Sequence, residues 1–248
     1  MVTAAPETQQ RLLELQALDA ALDRLAHRRS TLPELAELER LTARLDRLHQ
    51  DIIAAETEDS DQEREQTKLE TDVEQVRSRS DRDRSRLDSG QVGSPRELEN
   101  LQSEIASLAR RQADLEEQVL EVMERREAVE SRLGQLRAER AMRRTERDAV
   151  TERRDTAYAE IDGATARDTE ERAAMAAELP ADLMALYEKI RADKGGVGAA
   201  ALHRGRCEGC HLSLSGVDLA ATRAAPPDAV LRCEECRRIL VRTPESGL

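Results

Sequence analysis

The chain has 248 residues and a formal net charge of −12, a length that allows one or two domains. Charged residues make up 36% of it and aromatics only 1%: two tyrosines, with no Phe and no Trp. Leu and Ala dominate the apolar residues, the composition of long helices with one narrow apolar seam, which excludes a large globular core and most catalytic folds. The acidic balance repels nucleic acid and anionic membranes over the chain as a whole, so any nucleic-acid contact has to be local. No basic start leads into an apolar run, and no stretch approaches the roughly 20 apolar residues that span a bilayer. The expectation is a cytoplasmic protein without membrane contact, whose four cysteines stay reduced.

In chain order, Leu15, Leu18, Leu22, Leu25 and Leu32 begin a 3-4 apolar alternation that slips phase near Pro33. It continues through Leu38, Leu41, Leu45, Leu48, Ile52 and Ala55 and, after a polar gap, through Leu69, Val73, Val76 and Leu87. A seven-residue repeat held this long specifies a left-handed coiled coil. The pattern predicts one helix from about Thr8 to Asp88, on the order of 120 Å long and kinked at Pro33.

The alternation stops at Asp88 and restarts after Ser94-Pro95-Arg96-Glu97. Gly90 and Gly93 supply the freedom a reversal needs, Ser94 with Glu97 forms a capping box, and Pro95 sits where a missing N–H costs nothing. The second helix keeps one register through Leu98, Leu101, Ile105, Leu108, Leu115, Val119, Val122, Val129, Leu133 and Leu136, then Val150, Ala157, Ile161 and Met175. A short turn between long helices predicts an antiparallel hairpin in which facing residues have numbers summing to about 185. Leu48 then meets Leu136, and Asp59 in the polar gap meets Arg126. Intermolecular pairing of the same seams, giving a homodimer, is the alternative. A further helix, Ala181 to Ala192, carries Leu183, Leu186, Tyr187 and Ile190 on one face for packing.

Cys207-Glu208-Gly209-Cys210 and Cys233-Glu234-Glu235-Cys236 have the spacing of the two knuckles of a zinc ribbon. Each tight turn aims two thiolates at one ion, and two turns complete a tetrahedron around one structural Zn²⁺. Metal–sulfur bonds replace a core that so short a module cannot build. Four thiolates close the site, leaving no open position for a catalytic water, so an enzyme is not expected. A redox pair would need only one Cys-x-x-Cys in a thioredoxin-like context, and spacing alone does not separate zinc from iron. His211 follows Cys210, but four cysteines already suffice. Strands are predicted at 197–206, 211–214, 230–232 and 238–242, with a short helix at 216–224. Residues 197–242 hold seven arginines against five acids. Arg206, Arg232, Arg237 and Arg238 lie beside the knuckles, where they either neutralise thiolates or grip phosphates. Without aromatic residues in the ribbon, nucleic-acid binding would run through Arg and phosphate and be sensitive to salt.

The fold class expected is thus mainly α: an antiparallel coiled-coil hairpin over 8–178 with its turn at 88–95, a linking helix at 180–194, and a small β zinc ribbon at 197–242. The turn Ser89-Gly90 to Ser94-Pro95-Arg96-Glu97-Leu98, the helix with Leu186-Tyr187-Glu188, and the ending Cys207…Cys210-His211-Leu212 with Cys233…Cys236-Arg237-Arg238 resemble the bacterial coiled-coil plus C4-type zinc-ribbon family. The family's usual turn carries Lys where this chain has Arg96. The resemblance implies RNA or DNA binding through the ribbon; some relatives act in flagellar biogenesis through RNA and a sigma factor. The tip residues Gly90, Gly93, Ser94, Pro95 and Arg96 form a candidate contact for a protein partner. The runner-up function is a structural or chaperone-like coiled coil that binds a protein, with zinc purely structural.

Overall fold

The structure is a computed structural model and describes residues 2–248. Its elements are α1 (Pro6–Ser30), α2 (Pro33–Asp88), α3 (Pro95–Glu178), α4 (Ala181–Asp193), β1 (Ala199–His203), β2 (Arg206–Cys207), α5 (Gly216–Ala224), β3 (Leu231–Arg232) and β4 (Ile239–Val241). The chain divides into two compact units, one of residues 1–35 with 152–248 and one of residues 36–151. No helix among the described residues is long and apolar enough to cross a membrane.

The single first helix expected from the heptads is in fact two. Pro33 has no N–H to continue the ladder and its ring clashes with the preceding turn. Helix α1 therefore ends at Ser30, with the Thr31 N–H donating to Arg28 and His27 carbonyls and the Thr31 hydroxyl to His27 O at 2.8 Å. Pro33 then occupies the first position of α2, where its fixed φ suits a helix start.

The unit of residues 36–151 is the long helical hairpin. Ile52 and Ala55 of α2 pack with Val129 and Leu133 of α3, with Leu136 against them, close to the register expected. Arg44 pairs with Glu139 at 2.7 Å, and Arg79 with Glu104. In the polar gap, Arg126 meets Asp59 at 3.4 Å, both about a quarter exposed, and its guanidinium also donates to Gln66 Oε1 at 2.9 Å. At the turn Gly90 has φ +67°, open to glycine without strain. The Glu97 N–H donates to Ser94 Oγ at 3.3 Å, and Glu97 Oε2 reaches back to the Gly93 N–H at 3.0 Å, one residue earlier than a standard capping box. Arg86 holds the same carboxylate from α2 at 2.6 Å.

In the other unit, Leu12 and Leu15 of α1 bury against Leu179, Leu183, Tyr187, Ile190, Ala199, Ile239 and Val241. The sheet order is β2-β1-β4-β3. β1 and β4 run parallel, with Ala199, Ala200 and Ala201 opposite Ile239, Leu240 and Val241; β2 and β3 are antiparallel to their neighbours. The predicted 197–206 strand is two strands around a turn at Arg204 (φ +47°) and Gly205 (φ +73°). The predicted strand at 211–214 does not form. The Leu212 carbonyl is taken by the Cys207 N–H, leaving one isolated bridge from Ser213 to Arg206.

Candidate metal centre

The two knuckles share one backbone pattern. The His211 N–H donates to Cys207 O and the Arg237 N–H to Cys233 O, each at 2.8 Å. The Cys207 N–H donates to Leu212 O at 3.0 Å and the Cys233 N–H to Arg238 O at 2.9 Å. The residue after each second cysteine turns left-handed, His211 at φ +61° and Arg237 at φ +65°. This turn aims backbone N–H groups and both thiols of a pair to the same side. The ribbon's local core is Ala200, Leu202, Cys207, Cys233 and Leu240.

All four Sγ atoms lie within 4.8 Å of one another. Across the knuckles, Cys207 to Cys236 and Cys210 to Cys233 are each 3.9 Å. A zinc–sulfur bond of about 2.3 Å gives a tetrahedron with edges of about 3.8 Å, so these two cross-knuckle pairs stand near the separation one Zn²⁺ requires and every other pair lies within 4.8 Å. Burial pushes the Cys207 thiol up to about 12 and also raises Cys233. Burial opposes ionisation of Cys236 as well, but hydrogen bonds from the Arg238 backbone and side chain and from Cys233 and Cys210 prevail, bringing it to about 7. Closely packed thiols with opposed ionisation need a central dication to hold four thiolates together. The geometry makes this a four-cysteine site for one zinc ion. His211 is outside the cluster, and His203 faces Glu245 at 3.4 Å.

The four arginines singled out beside the knuckles have different surroundings. Arg238 is fully engaged: Nε donates to Val197 O (3.1 Å), and the two terminal nitrogens to Gly209 O (3.0 Å) and Lys194 O (2.9 Å). Its guanidinium ties the first knuckle to the segment entering β1. Arg232 Nε donates to Arg237 O at 2.8 Å, and Arg237 pairs with Glu234 at 2.8 Å. The exposed Arg206 guanidinium has no hydrogen bond or ion pair among the described residues. Arg232 and Arg237 also line a groove of about 720 Å³ with Leu214, Val230 and Leu231. The tip residues Gly90, Gly93, Ser94, Pro95 and Arg96 are all exposed.

A buried polar cluster escaped the sequence reasoning. Asp19 is 2% exposed and accepts from the Tyr187 hydroxyl at 2.5 Å and from Arg172 Nε at 2.6 Å, with Arg191 Nε at 3.3 Å. Gln16 Oε1 accepts from the Tyr187 hydroxyl (3.2 Å) and the Gly198 N–H (2.7 Å), while its amide donates to Gly196 O (3.0 Å). α1 is thereby fastened to α4 and to the glycine segment that leads into β1. A Cβ on Gly198 would lie 2.7 Å from the Tyr187 ring. The available signal was two polar residues, Gln16 and Asp19, close to the Leu15 seam.

Fold and site together define a helical hairpin protein that ends in a four-cysteine zinc ribbon. The chain belongs to the CT398-like coiled-coil hairpin family, whose model matches residues 15–195, and a C4-type zinc ribbon domain matches residues 206–240. The uncharacterised protein Rv2229c of Mycobacterium tuberculosis is 39% identical over 235 residues, 94% of this chain and 95% of that one. A solved structure from Mycobacterium smegmatis is 35% identical with a TM-score of 0.86, covering 98% of this chain and 100% of its own. The structure of CT398 from Chlamydia trachomatis shares the fold at 19% identity and a TM-score of 0.74, covering 96% of this chain and 98% of its own.

Proposed function

We propose that the chain is a non-enzymatic cytoplasmic adaptor whose zinc ribbon, closed by Cys207, Cys210, Cys233 and Cys236, binds RNA or DNA or a protein that handles it. One observation carries this: three of the four arginines beside the knuckles, Arg206, Arg232 and Arg237, are exposed, and Arg206 has no partner among the described residues. Arg238 acts differently, positioning the first knuckle through three backbone carbonyls. The experiment is fluorescence anisotropy of labelled 20-nucleotide RNA and DNA strands with the zinc-loaded full chain across a salt series. Replacing Arg206, Arg232 and Arg237 together by Gln lowers the slope of log K against log salt by about 2, from roughly 0.7 per phosphate contact on a single strand. An unchanged slope, or no binding by the parent chain, overturns direct nucleic-acid binding by the ribbon.

The second function is a coiled coil that binds a protein partner, with zinc purely structural. It is favoured by the exposed turn at Gly90 and Gly93 through Ser94, Pro95 and Arg96. A protein retained after nuclease treatment at moderate salt, and lost when Arg96 and Pro95 are replaced, selects that function instead.

A further inference from the structure

Apart from the polar gap around Asp59, the hairpin seam has a second gap that lies on α3 alone. The 3-4 alternation that places Val129, Leu133 and Leu136 on the α3 seam falls next on positions 140, 143 and 147 before Val150 resumes it. All three are arginine. The facing stretch of α2 is intact, with Leu41 and Leu48 buried. Cationic residues at seam positions weaken a coiled coil, so three in succession opposite a leucine row call for a compensating role.

Of the five arginines of α3 in this stretch, three are paired with carboxylates and two are not. Arg143 pairs with Glu146 at 2.8 Å, Arg137 with Glu56 at 2.7 Å and Arg147 with Asp148 at 2.6 Å. Arg140 and Arg144 are exposed and have no hydrogen bond or ion pair among the described residues. Arg137, Arg140, Arg144 and Arg147 line one groove of about 450 Å³ floored by Leu45 and Ala141. At 100° per residue these four fall within an arc of about 80°, and they extend about 15 Å along the helix. Residues 40–49 and 136–147 hold eight arginines against three carboxylates, and Glu56 and Asp148, which pair with Arg137 and Arg147, bring the acids to five, in a chain whose net charge is −12. At physiological salt charges interact over about 8 Å, so the patch acts locally as a cation despite the acidic remainder.

We infer that this arginine-lined groove of the hairpin binds the phosphodiester backbone of a single nucleic-acid strand. Planar guanidinium forks suit phosphate oxygens, and a row of four spaced three to four residues apart presents a charge about every 5 Å. A strand carries a charge at every nucleotide; at about 3.4 Å of rise each, about four phosphates fit along the row. Acidic side chains in reach have left Arg140 and Arg144 unpaired, whereas a strand offers both a partner. No Phe, Tyr or Trp lines the groove, and His49 is its one ring, so contact is mainly to backbone and largely independent of sequence. The groove uses none of the ribbon arginines, and the choice of nucleic acid over other polyanions rests on the function proposed above.

The test uses the zinc-loaded full chain and a labelled 20-nucleotide single-stranded RNA of mixed sequence. Two variants are measured in parallel: Arg140→Gln with Arg144→Gln in the hairpin, and the ribbon triple of Arg206, Arg232 and Arg237 to Gln. Gln is a good helix former, so the hairpin variant keeps its helical circular dichroism. The expected result is a salt slope lower by about 1.4 for the hairpin double, restored by Arg140→Lys with Arg144→Lys. An unchanged slope in the hairpin double overturns the inference, whatever the ribbon triple does. A loss in the hairpin double with none in the ribbon triple upholds the groove and removes the ribbon from the account. Displacement of the RNA by polyglutamate as readily as by unlabelled RNA of equal charge also overturns it.

Discussion

Replacing Asp19 by Asn removes a charge that holds two elements against α1. The carboxylate is 2% exposed and takes Tyr187 at 2.5 Å, Arg172 at 2.6 Å and Arg191 at 3.3 Å. Breaking a buried ion pair from one side costs about 3–5 kcal/mol, because the orphaned charge stays desolvated. Here the orphans are partly rescued. Arg172 also reaches Glu188, Arg191 also reaches Asp23 at 2.8 Å, and Tyr187 can still donate to Gln16. Both arginine side chains are about a quarter exposed, so water screens what remains. The expected loss is therefore about 2–3 kcal/mol, below the buried-pair range. Asp23→Asn touches the same Arg191 from a side chain that is 52% exposed, where a surface pair is worth about 0–1 kcal/mol. Urea denaturation of the zinc-loaded chain, followed by circular dichroism, compares the two variants with the parent. If both shift stability equally, the buried cluster does not fasten α1 and the reasoning is refuted.

Three more outcomes follow from the same contacts. Burial, then the bond to Asp19, holds the Tyr187 hydroxyl above its ordinary value. An unfolded tyrosine ionises near pH 10, so this contribution is complete below about pH 10 and lost as pH rises above it, by up to about 1.4 kcal/mol per unit. Tyr187→Phe should show a shallower loss of stability between pH 9 and 11.5; matching slopes count against it. Gly198→Ala forces a Cβ to 2.7 Å from a ring buried by α1 and α4, and overpacking of that kind costs about 1–3 kcal/mol. A melting temperature equal to the parent's would contradict the close approach. Arg238→Ala releases three backbone carbonyls around the first knuckle and should weaken zinc retention against a chelator by about 10-fold or more. Unaltered retention would show that Arg238 does not position the knuckle.

Local signals in the sequence were the ones that transferred to the structure. The Ser94–Glu97 box marks the start of α3 because caps act within four residues, and Ser215 likewise caps α5 at its first turn. The meeting of Asp59 and Arg126 followed from counting outward from the turn, since a hairpin has one register once its turn is placed. The spacing of the cysteines announced the metal site because knuckle geometry is built from neighbouring residues. What was not readable depends on distant partners. The parallel pairing of β1 with β4 joins residues 40 apart in sequence, and nothing in either segment marks the other. Gln16 and Asp19 look like solvent-facing heptad positions until α4 and Gly198 cover them. The function of Arg238 was obscured for the same reason, as its acceptors are main-chain carbonyls that no side-chain pattern reveals. Pro33 did carry a local signal, and it ended the helix outright because it lacks the N–H the ladder needs, with the Thr31 and Ser30 hydroxyls both donating to His27 O.

The central claim, that the protein contacts nucleic acid, is tested most directly by capture of zinc-loaded protein from its own cell lysate with and without nuclease. Nucleic acid is expected in the untreated sample, lost on nuclease treatment, and reduced when Arg206, Arg232 and Arg237 are replaced together. A defined protein that stays bound in both samples, with no nucleic acid recovered from either, would contradict it.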